Sequence, residues 1–249
     1  MIYVRALWGD PTVCTYAKSL WDIKHRSTSL PESCDLRIVA YGVRNADFLD
    51  GLGYERNIIY RADILPDEYD KLNPNRPKPV SKRRANTVVD GVMMWWHKLA
   101  AIRCAIASQK DYKTADCIWL DWDTQVLKEP DDELYDMLRA GSPLQGCECP
   151  WKTPRAPWRE RSRIKWGYHG GAYYVRGLAL MQRAIELHAE LFPLYSDETV
   201  MCYLADHDLA GQECENTRFC RCRKVKPGTD VSQAYFMEGN VMHWKEAMK

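Results

Sequence analysis

Short apolar runs alternate with amphipathic stretches along the chain, and this alternation predicts an α/β protein. Strands are expected where apolar residues run with little polar interruption, at 2–8, 36–42, 57–61, 117–120, 143–147 and 171–175. Helices are expected where apolar residues recur every three or four positions, at 14–25, 92–108, 131–138, 178–192 and 196–205. The order of these elements indicates a mixed, mostly parallel central sheet flanked by helices.

Two aspartates directly follow the apolar run Cys117-Ile-Trp-Leu120 and are separated by one residue. In an extended chain, residues two apart point to the same side, so Asp121 and Asp123 can direct both carboxylates at one point. A close carboxylate pair needs a cation, and strand ends in open α/β sheets border the ligand crevice. We therefore expect a site for a divalent metal and a diphosphate. Two solvated aspartates in a turn are the alternative for this motif.

Five short motifs follow one another along the chain: His97–Arg103, Cys117–Leu127, Tyr168–Val175, Asp197–Val200 and Asn240–Lys245. Their order and spacing resemble the GT-A-fold nucleotide-sugar glycosyltransferases, most closely in layout the glycogenin-like families. The resemblance spans about residues 1–10 and 95–245. It implies a GT-A-like, Rossmann-like fold and transfer of a sugar from a nucleotide diphosphate to a hydroxyl acceptor.

The resemblance also implies roles for the charged residues of these motifs. Asp123 would coordinate Mn²⁺ or Mg²⁺ directly, Asp121 would reach the metal or the donor ribose, and His243 would complete the metal shell. Lys98 would meet the donor sugar or diphosphate, and Lys245 the phosphates. Such cations would stabilise the negative charge that the departing nucleoside diphosphate develops. A packed histidine beside Trp244 and an exposed helix lysine remain the simpler alternatives for two of these residues.

The late helix begins with two acids, Asp197 and Glu198, where glycogenin-like proteins commonly have Asp-Gln. We expect them to contact sugar or acceptor hydroxyls, or to act as a general base. Stabilisation of the helix N-terminus is the alternative. The chain also lacks the usual glycine and Lys-Pro-Trp ending of the C-terminal motif, and the added carboxylate leaves retention or inversion open.

Glycines and an aromatic residue are expected to complete the donor site. Gly170 and Gly171 permit close backbone approach to a sugar ring, although a plain turn before a strand is equally compatible. Trp8, Gly9 and Asp10 follow the first strand and are expected to border the nucleotide.

The chain is expected to form one domain of 249 residues. Residues 1–125 would form its nucleotide-binding half and 126–249 its acceptor-side half. Prolines and basic residues make 63–91 a long loop.

Residues Trp151–Trp166 form a segment in which six basic residues and three tryptophans accompany one acid. Such a segment can hold phosphates while its rings stack on bases or sugars. It makes an acceptor glycan, or DNA with a hydroxylated base, a candidate partner. A solvated loop held to the core by its tryptophans is the alternative.

Composition and charge exclude few of the possible functions. The formal net charge of +1 gives no global preference for nucleic acid or acidic membranes. The stretch Met1–Trp8 is too short and too charged for a signal-peptide core or a membrane span, so we expect a cytoplasmic protein. Among ten cysteines, the C-x-C pairs at 147–149 and 220–222 with Cys214 could bind zinc, but reduced thiols fit their spacing better.

Three rival classes fit the sequence less well. Phosphatases of the haloacid-dehalogenase type have Thr or Val at the position where this chain has Gln125. Their aspartate motif usually opens the domain, whereas here it follows 120 residues. Nucleotidyltransferases place Gly-Ser before their aspartates, whereas Gly141-Ser142 follows them here. A non-catalytic basic and aromatic module that binds nucleic acid or glycan on a transferase-like fold would give no role to Asp121, Asp123, Lys98 and His243 together.

Overall fold

The computed structural model describes residues 1–8, 30–61, 97–149, 167–190, 197–210, 212–222 and 232–238. Several predictions therefore lie outside the described residues: the helix at 14–25, the loop at 63–91, the Trp151–Trp166 segment, and site residues Gly9, Asp10, His243 and Lys245.

Strands and helices alternate through the described chain. In order they are β1 (Ile2–Leu7), β2 (Asp35–Tyr41), α1 (Val43–Asp50), β3 (Ile58–Arg61), α2 (97–107), β4 (Asp116–Leu120), β5 (Gln125–Val126), α3 (Asp132–Ala140), β6 (Leu144–Cys149), β7 (Gly167–Arg176), α4 (Leu178–Glu190), α5 (Asp197–Tyr203), β8 (Cys220–Cys222) and β9 (Phe236–Glu238). A 3₁₀ turn at Glu55–Asn57 precedes β3, and a π-helical turn at Leu204–Asp208 continues α5.

The main sheet of the described residues has the strand order β3-β2-β1-β4-β7-β6. Strands β3, β2, β1 and β4 are parallel, whereas β7 runs antiparallel to both β4 and β6. This confirms the predicted mixed, mostly parallel sheet. Because the parallel strands share a direction, the ends of β1, β2 and β4 lie at one edge, where α/β sheets bind ligands.

Two apolar layers cover this sheet, which explains why β1 is apolar except for Arg5 and why β4 is apolar after Asp116. Alternate side chains point to opposite faces, so Ile118 packs with Tyr174 and Leu134 while Trp119 packs with Tyr173 and Ile102. Every residue of β1 and β4 is buried. Burial of this kind supplies most of the folding free energy, at roughly 25 cal/mol for each Å² of apolar surface.

A smaller sheet in the described residues has the order β5-β9-β8. Strand β9 pairs antiparallel with β5, through Gln125 with Met237 and Val126 with Phe236, and parallel with β8. Since β5 directly follows the two aspartates, this sheet ties the C-terminal part of the chain to the motif.

The structure departs from the predicted elements in several places. The short strands β5, β8 and β9 were not predicted. Helix α1 was not predicted, because its eight residues bury only Asn45 and Leu49 and so give a weak periodic signal. Strand β7 begins at Gly167, four residues earlier than expected. The helix predicted through residue 205 is α-helical only to Tyr203. No helix within the described ranges is long and apolar enough to cross a bilayer.

Candidate active site

The two aspartates lie in a tight turn at the end of β4. The Thr124 N–H donates to the Asp121 carbonyl at 3.1 Å, which closes a β-turn over Asp121–Thr124. The Gly171 carbonyl accepts from the Asp121 N–H at 2.7 Å and from the Thr124 hydroxyl at 3.0 Å. The expectation of an extended chain here is therefore wrong, because these bonds from β7 bend the backbone directly after Leu120.

Trp122, between the two aspartates, fastens this turn to β1. Its indole N–H donates to the Ala6 carbonyl at 2.9 Å, and the Arg5 guanidinium lies 4.8 Å from its ring centroid. The Tyr54 ring packs edge-on at 6.1 Å. Trp122 was not predicted as a site residue, although an aromatic residue between two acids was a usable signal of a buried neighbour.

Lys98, on α2, draws several predicted site residues together. Its Nζ lies 3.0 Å from Asp121 Oδ1 and 3.4 Å from Asp197 Oδ2, and it donates to the Gly170 carbonyl at 2.6 Å. The side chain is buried, which alone would lower its pKa, but the carboxylates of Asp121 and Asp197 outweigh burial and raise it. Lys98 is therefore a charged, inward-facing residue, and the alternative of an exposed helix lysine is wrong.

Asp197 and Glu198 enter the same cluster from the first turn of α5. Glu198 Oε1 accepts from the Gly170 N–H at 2.9 Å. Asp197 is 2% exposed, and its Oδ2 makes no hydrogen bond to any described residue despite the ion pair with Lys98. Burial raises the pKa of Asp197 to about 6; Lys98 opposes this rise, and Glu198 and Asp121 add to it.

Gly170 sits at the centre of this cluster, where even a methyl side chain would crowd its neighbours. A Cβ atom built on it would lie 3.0 Å from Asp197 Oδ2, 3.1 Å from Lys98 Nζ and 3.2 Å from Glu198 Cγ. The absence of a side chain lets three charged groups converge on one stretch of backbone. With Gly171 holding the aspartate turn, both predicted glycines belong to the site.

Trp119 adds a polar and an aromatic contact to this cluster. Its indole N–H donates to Asp121 Oδ1 at 2.9 Å, and its ring centroid lies 5.2 Å from Lys98 Nζ. Asp121 Oδ1 is therefore held by both Lys98 and Trp119. Sequence reasoning treated Trp119 as core only.

Trp8 follows β1 at the same edge and belongs to an aromatic group beside Lys98. Its ring stacks on His97 at 5.8 Å and 21°, and Tyr41 at the end of β2 packs edge-on against His97 at 4.6 Å. The Tyr41 hydroxyl donates to the His97 carbonyl at 3.0 Å. These rings lie together at the carboxyl ends of β1 and β2.

The local charge of the cluster is negative. Lys98 faces three carboxylates, from Asp121, Asp197 and Glu198, and the half-buried Asp123 adds a fourth in the neighbouring turn. Carboxylate oxygens are the donors that Mg²⁺ and Mn²⁺ prefer. Within the ranges the structure describes, no three His, Cys, Asp or Glu side chains are grouped as a ready metal site.

The candidate zinc ligands give no metal cluster either among the residues described. Cys147, Cys214 and Cys220 are buried and form no disulfide with a described residue. Cys147 and Cys220 pack in the apolar layer with Phe219 and Phe236, and Cys214 Sγ contacts the Ser142 hydroxyl at 3.3 Å. Burial among apolar neighbours agrees with cysteine as a small core residue.

The fold is similar to solved glycosyltransferase structures. Mouse xyloside xylosyltransferase 1, in its apo form, matches with 13% identity and a TM-score of 0.58 over 97% of this chain and 98% of that chain. The galactosyltransferase LgtC, in complex with donor and acceptor sugar analogs, matches with 13% identity and a TM-score of 0.52 over 96% of this chain and 86% of its own. An active-site mutant of LgtC matches equally well. No family model and no curated protein matches the sequence.

These similarities confirm the predicted GT-A-type fold across nearly the whole chain. The structure independently brings Lys98, Asp121, Gly170, Asp197 and Glu198 together at the ligand-binding edge of that fold. Sequence identity of 13% leaves the activity to be argued from this cluster.

Proposed function

We propose that the protein is a metal-dependent glycosyltransferase that moves a sugar from a nucleotide-diphosphate donor to a hydroxyl acceptor. The main support is the convergence of one lysine and three carboxylates around Gly170, at the edge where α/β sheets bind ligands. Polyhydroxylated sugars suit such a site because their hydroxyls donate to carboxylates. The structural neighbours, a xylosyltransferase and a galactosyltransferase, are themselves sugar transferases, which agrees with this chemistry.

Asp121, Asp123 and His243 would hold Mn²⁺ or Mg²⁺. The excess of carboxylates over lysine fits a divalent cation, which would stabilise negative charge on the departing diphosphate. His243 lies five residues after Glu238 in sequence, and β9 ends paired with the strand that leaves the Asp121–Thr124 turn. That pairing supports a C-terminal contribution to the metal site.

The donor would lie between the aromatic group and the carboxylate cluster. Trp8, Gly9 and Asp10 would border the nucleotide, and Lys245 would meet its phosphates. Lys98 is already surrounded by Asp121, Asp197 and Gly170, so its main role would be to hold the two carboxylates in place and balance their charge. Asp197 and Glu198 would accept hydrogen bonds from sugar hydroxyls, with Gly170 and Gly171 allowing the ring to approach the backbone.

With a pKa of about 6, the Asp197 carboxyl is mostly ionised at pH 7 and takes up a proton at slightly lower pH. The ionised carboxylate could accept a hydrogen bond from a sugar hydroxyl, or it could take the proton from the hydroxyl of the acceptor substrate. The acceptor would be a glycan or a hydroxylated DNA base. The Trp151–Trp166 segment supports a polymeric or anionic acceptor through its basic and aromatic composition.

Binding of the donor can be tested by thermal shift with UDP, GDP, CDP and their sugars, each with Mn²⁺ or with EDTA. A ligand that binds the native state raises the apparent stability. We expect one nucleotide to raise the melting temperature only with Mn²⁺, and Asp123→Ala to abolish the rise. Asp47→Ala, an exposed aspartate on α1, is the matched control and keeps it.

The opposite result would identify a binding module. If no nucleotide shifts any variant, while DNA or a glycan alone stabilises wild type and Asp123→Ala equally, the transferase proposal is wrong. DNA binding would additionally weaken steeply with salt.

A further inference from the structure

The β5-β9 pairing is too short to hold the C-terminal part of the chain by itself. It consists of two residue pairs, between Gln125–Val126 and Phe236–Met237. Isolated pairs of such length are marginal in water. Other contacts must therefore fix β9 beside the strand that leaves the aspartate turn.

Tyr235, the residue before β9, provides these contacts through its backbone. Its carbonyl accepts from the Leu127 N–H at 2.8 Å and the Lys128 N–H at 3.3 Å, and its own N–H donates to the Arg218 carbonyl at 3.1 Å. The residue is 1% exposed and packs in the apolar layer with Phe236. Tyr235 thus joins β9 to the chain on both sides of it.

Its hydroxyl adds a charged bridge. It donates to Asp131 Oδ1 at 2.6 Å and accepts from Lys128 Nζ at 2.7 Å, while Lys128 also pairs with Asp131 Oδ2 at 3.1 Å. Asp131 in turn caps α3 by accepting from the Leu134 N–H at 3.0 Å. Hydrogen bonds with ionised partners are stronger than neutral ones, so this triad adds to the strand pairing, although solvent screens the charges of Lys128 and Asp131, which are 44% and 42% exposed.

The triad keeps its charges around neutral pH. The Tyr235 hydroxyl and the Leu134 N–H, both donating to Asp131, lower the pKa of that carboxyl to about 2. The same hydroxyl, together with Asp131, raises the pKa of Lys128. Both ions therefore persist through the range in which the enzyme would work.

We propose that Lys128, Asp131 and Tyr235 form a latch that holds β9 beside β5 and the aspartate turn and thereby sets the affinity of the metal and donor site. This inference rests on the proposed function. The position of β9 would affect the aspartate turn through adjacent residues of the chain. Gln125 pairs with Met237, and Thr124, the residue before Gln125, closes the turn on Asp121. The three residues act by positioning and do not touch the reacting groups.

Tyr235→Phe tests the latch, since it keeps the ring and removes the bridge. Tyr174→Phe is the matched control: it also removes a buried hydroxyl that donates to an aspartate, Asp116 at 3.4 Å, at the opposite end of β4. The dissociation constant of Mn²⁺ is measured by electron paramagnetic resonance with UDP and then GDP present. Hydrogen exchange of the peptide 236–249 is followed in parallel.

We expect Tyr235→Phe to weaken Mn²⁺ binding about threefold to tenfold, somewhat less than the roughly 10–100-fold effect of groups that contact metal ligands directly. It should also speed exchange in 236–249. Lys128→Met should reproduce both effects, and Tyr174→Phe neither. Unchanged affinity in both latch variants, with wild type binding Mn²⁺ and a nucleotide, would overturn the latch and leave the proposed function intact. Failure of wild type to bind Mn²⁺ with either nucleotide, or with CDP in a third measurement, would overturn both.

Discussion

Lys98 shows how a single buried residue organises the candidate site. Its ammonium contacts Asp121, Asp197 and the Gly170 carbonyl, and each contact lies within 3.4 Å. Removal of one partner of a buried ion pair typically costs about 3–5 kcal/mol, because the other charge is left without compensation. Substitutions of these charged residues should therefore change the stability of the protein, and the pKa values of the carboxylates reflect the electrostatics of the site.

Asp197 should give wild type a distinct pH dependence of stability. Its pKa rises from the ordinary 3.8 to about 6 in the folded protein. The unfolded chain thus releases this proton at lower pH, so Asp197 makes the free energy of unfolding fall as pH rises from about 4 to about 6. Asp197→Asn lacks this contribution. In urea unfolding, the variant should gain up to about 3 kcal/mol relative to wild type between about pH 4 and pH 7. A difference that does not change with pH would contradict the assignment.

A methyl side chain at Gly170 should crowd the charged cluster and destabilise the protein. In Gly170→Ala the new methyl group would press on Asp197, Lys98 and Glu198 at 3.0–3.2 Å. We expect a loss of about 1–3 kcal/mol in the free energy of unfolding, together with loss of the Mn²⁺-dependent nucleotide shift. Gly51→Ala, whose nearest contact is 3.4 Å with a backbone oxygen, is the control and should be nearly neutral. Equal effects at the two glycines would argue against the close convergence of charges.

At the scale of elements, the aspartate turn is held by strands on both sides of β4. The Gly171 carbonyl on β7 accepts two hydrogen bonds from it, and Trp122 fastens it to the Ala6 carbonyl on β1. The turn is therefore rigid before any ligand binds. Rigid mounting of the groups that bind the donor reduces the free energy lost on ordering them.

Trp122→Phe should test this mounting. The change removes the hydrogen bond to Ala6 and part of the ring that lies against Arg5. We expect the free energy of unfolding to fall by about 1–3 kcal/mol, since the Ala6 carbonyl is left without this donor. Nucleotide affinity with Mn²⁺ should fall as well, measured by calorimetry. Full nucleotide affinity in a destabilised variant would show that the turn does not depend on this contact.

The same elements show what the sequence could predict. Strand β4 and helix α2 were predicted because their apolar patterns are strong and local. The turn at Asp121–Thr124 was not, because its conformation depends on the Gly171 carbonyl, which lies far away in sequence. Helix α1 was missed because two buried positions give too little periodicity.

At the scale of the molecule, the site is assembled from α2, β4, β7 and α5, and the sheet order brings these elements to one edge. The identity of most cluster residues followed from the resemblance to GT-A transferases. Their arrangement could not be predicted in this way, because the inward direction of the Lys98 side chain and the packing around Gly170 arise only from tertiary contacts. Trp119 was missed as a site residue for the same reason.

The most direct test of the central claim is the release of nucleoside diphosphate from a panel of nucleotide sugars, with simple sugars as acceptors and Mn²⁺ present. We predict turnover by wild type with at least one donor, abolished by EDTA and reduced about 100-fold or more in Asp121→Asn, because charge stabilisation in such sites is worth roughly 10²–10³ in rate. Asp47→Asn should retain full activity. No release from any donor by the folded wild type, or equal release by Asp121→Asn, would contradict the assignment of this cluster as a sugar-transfer site.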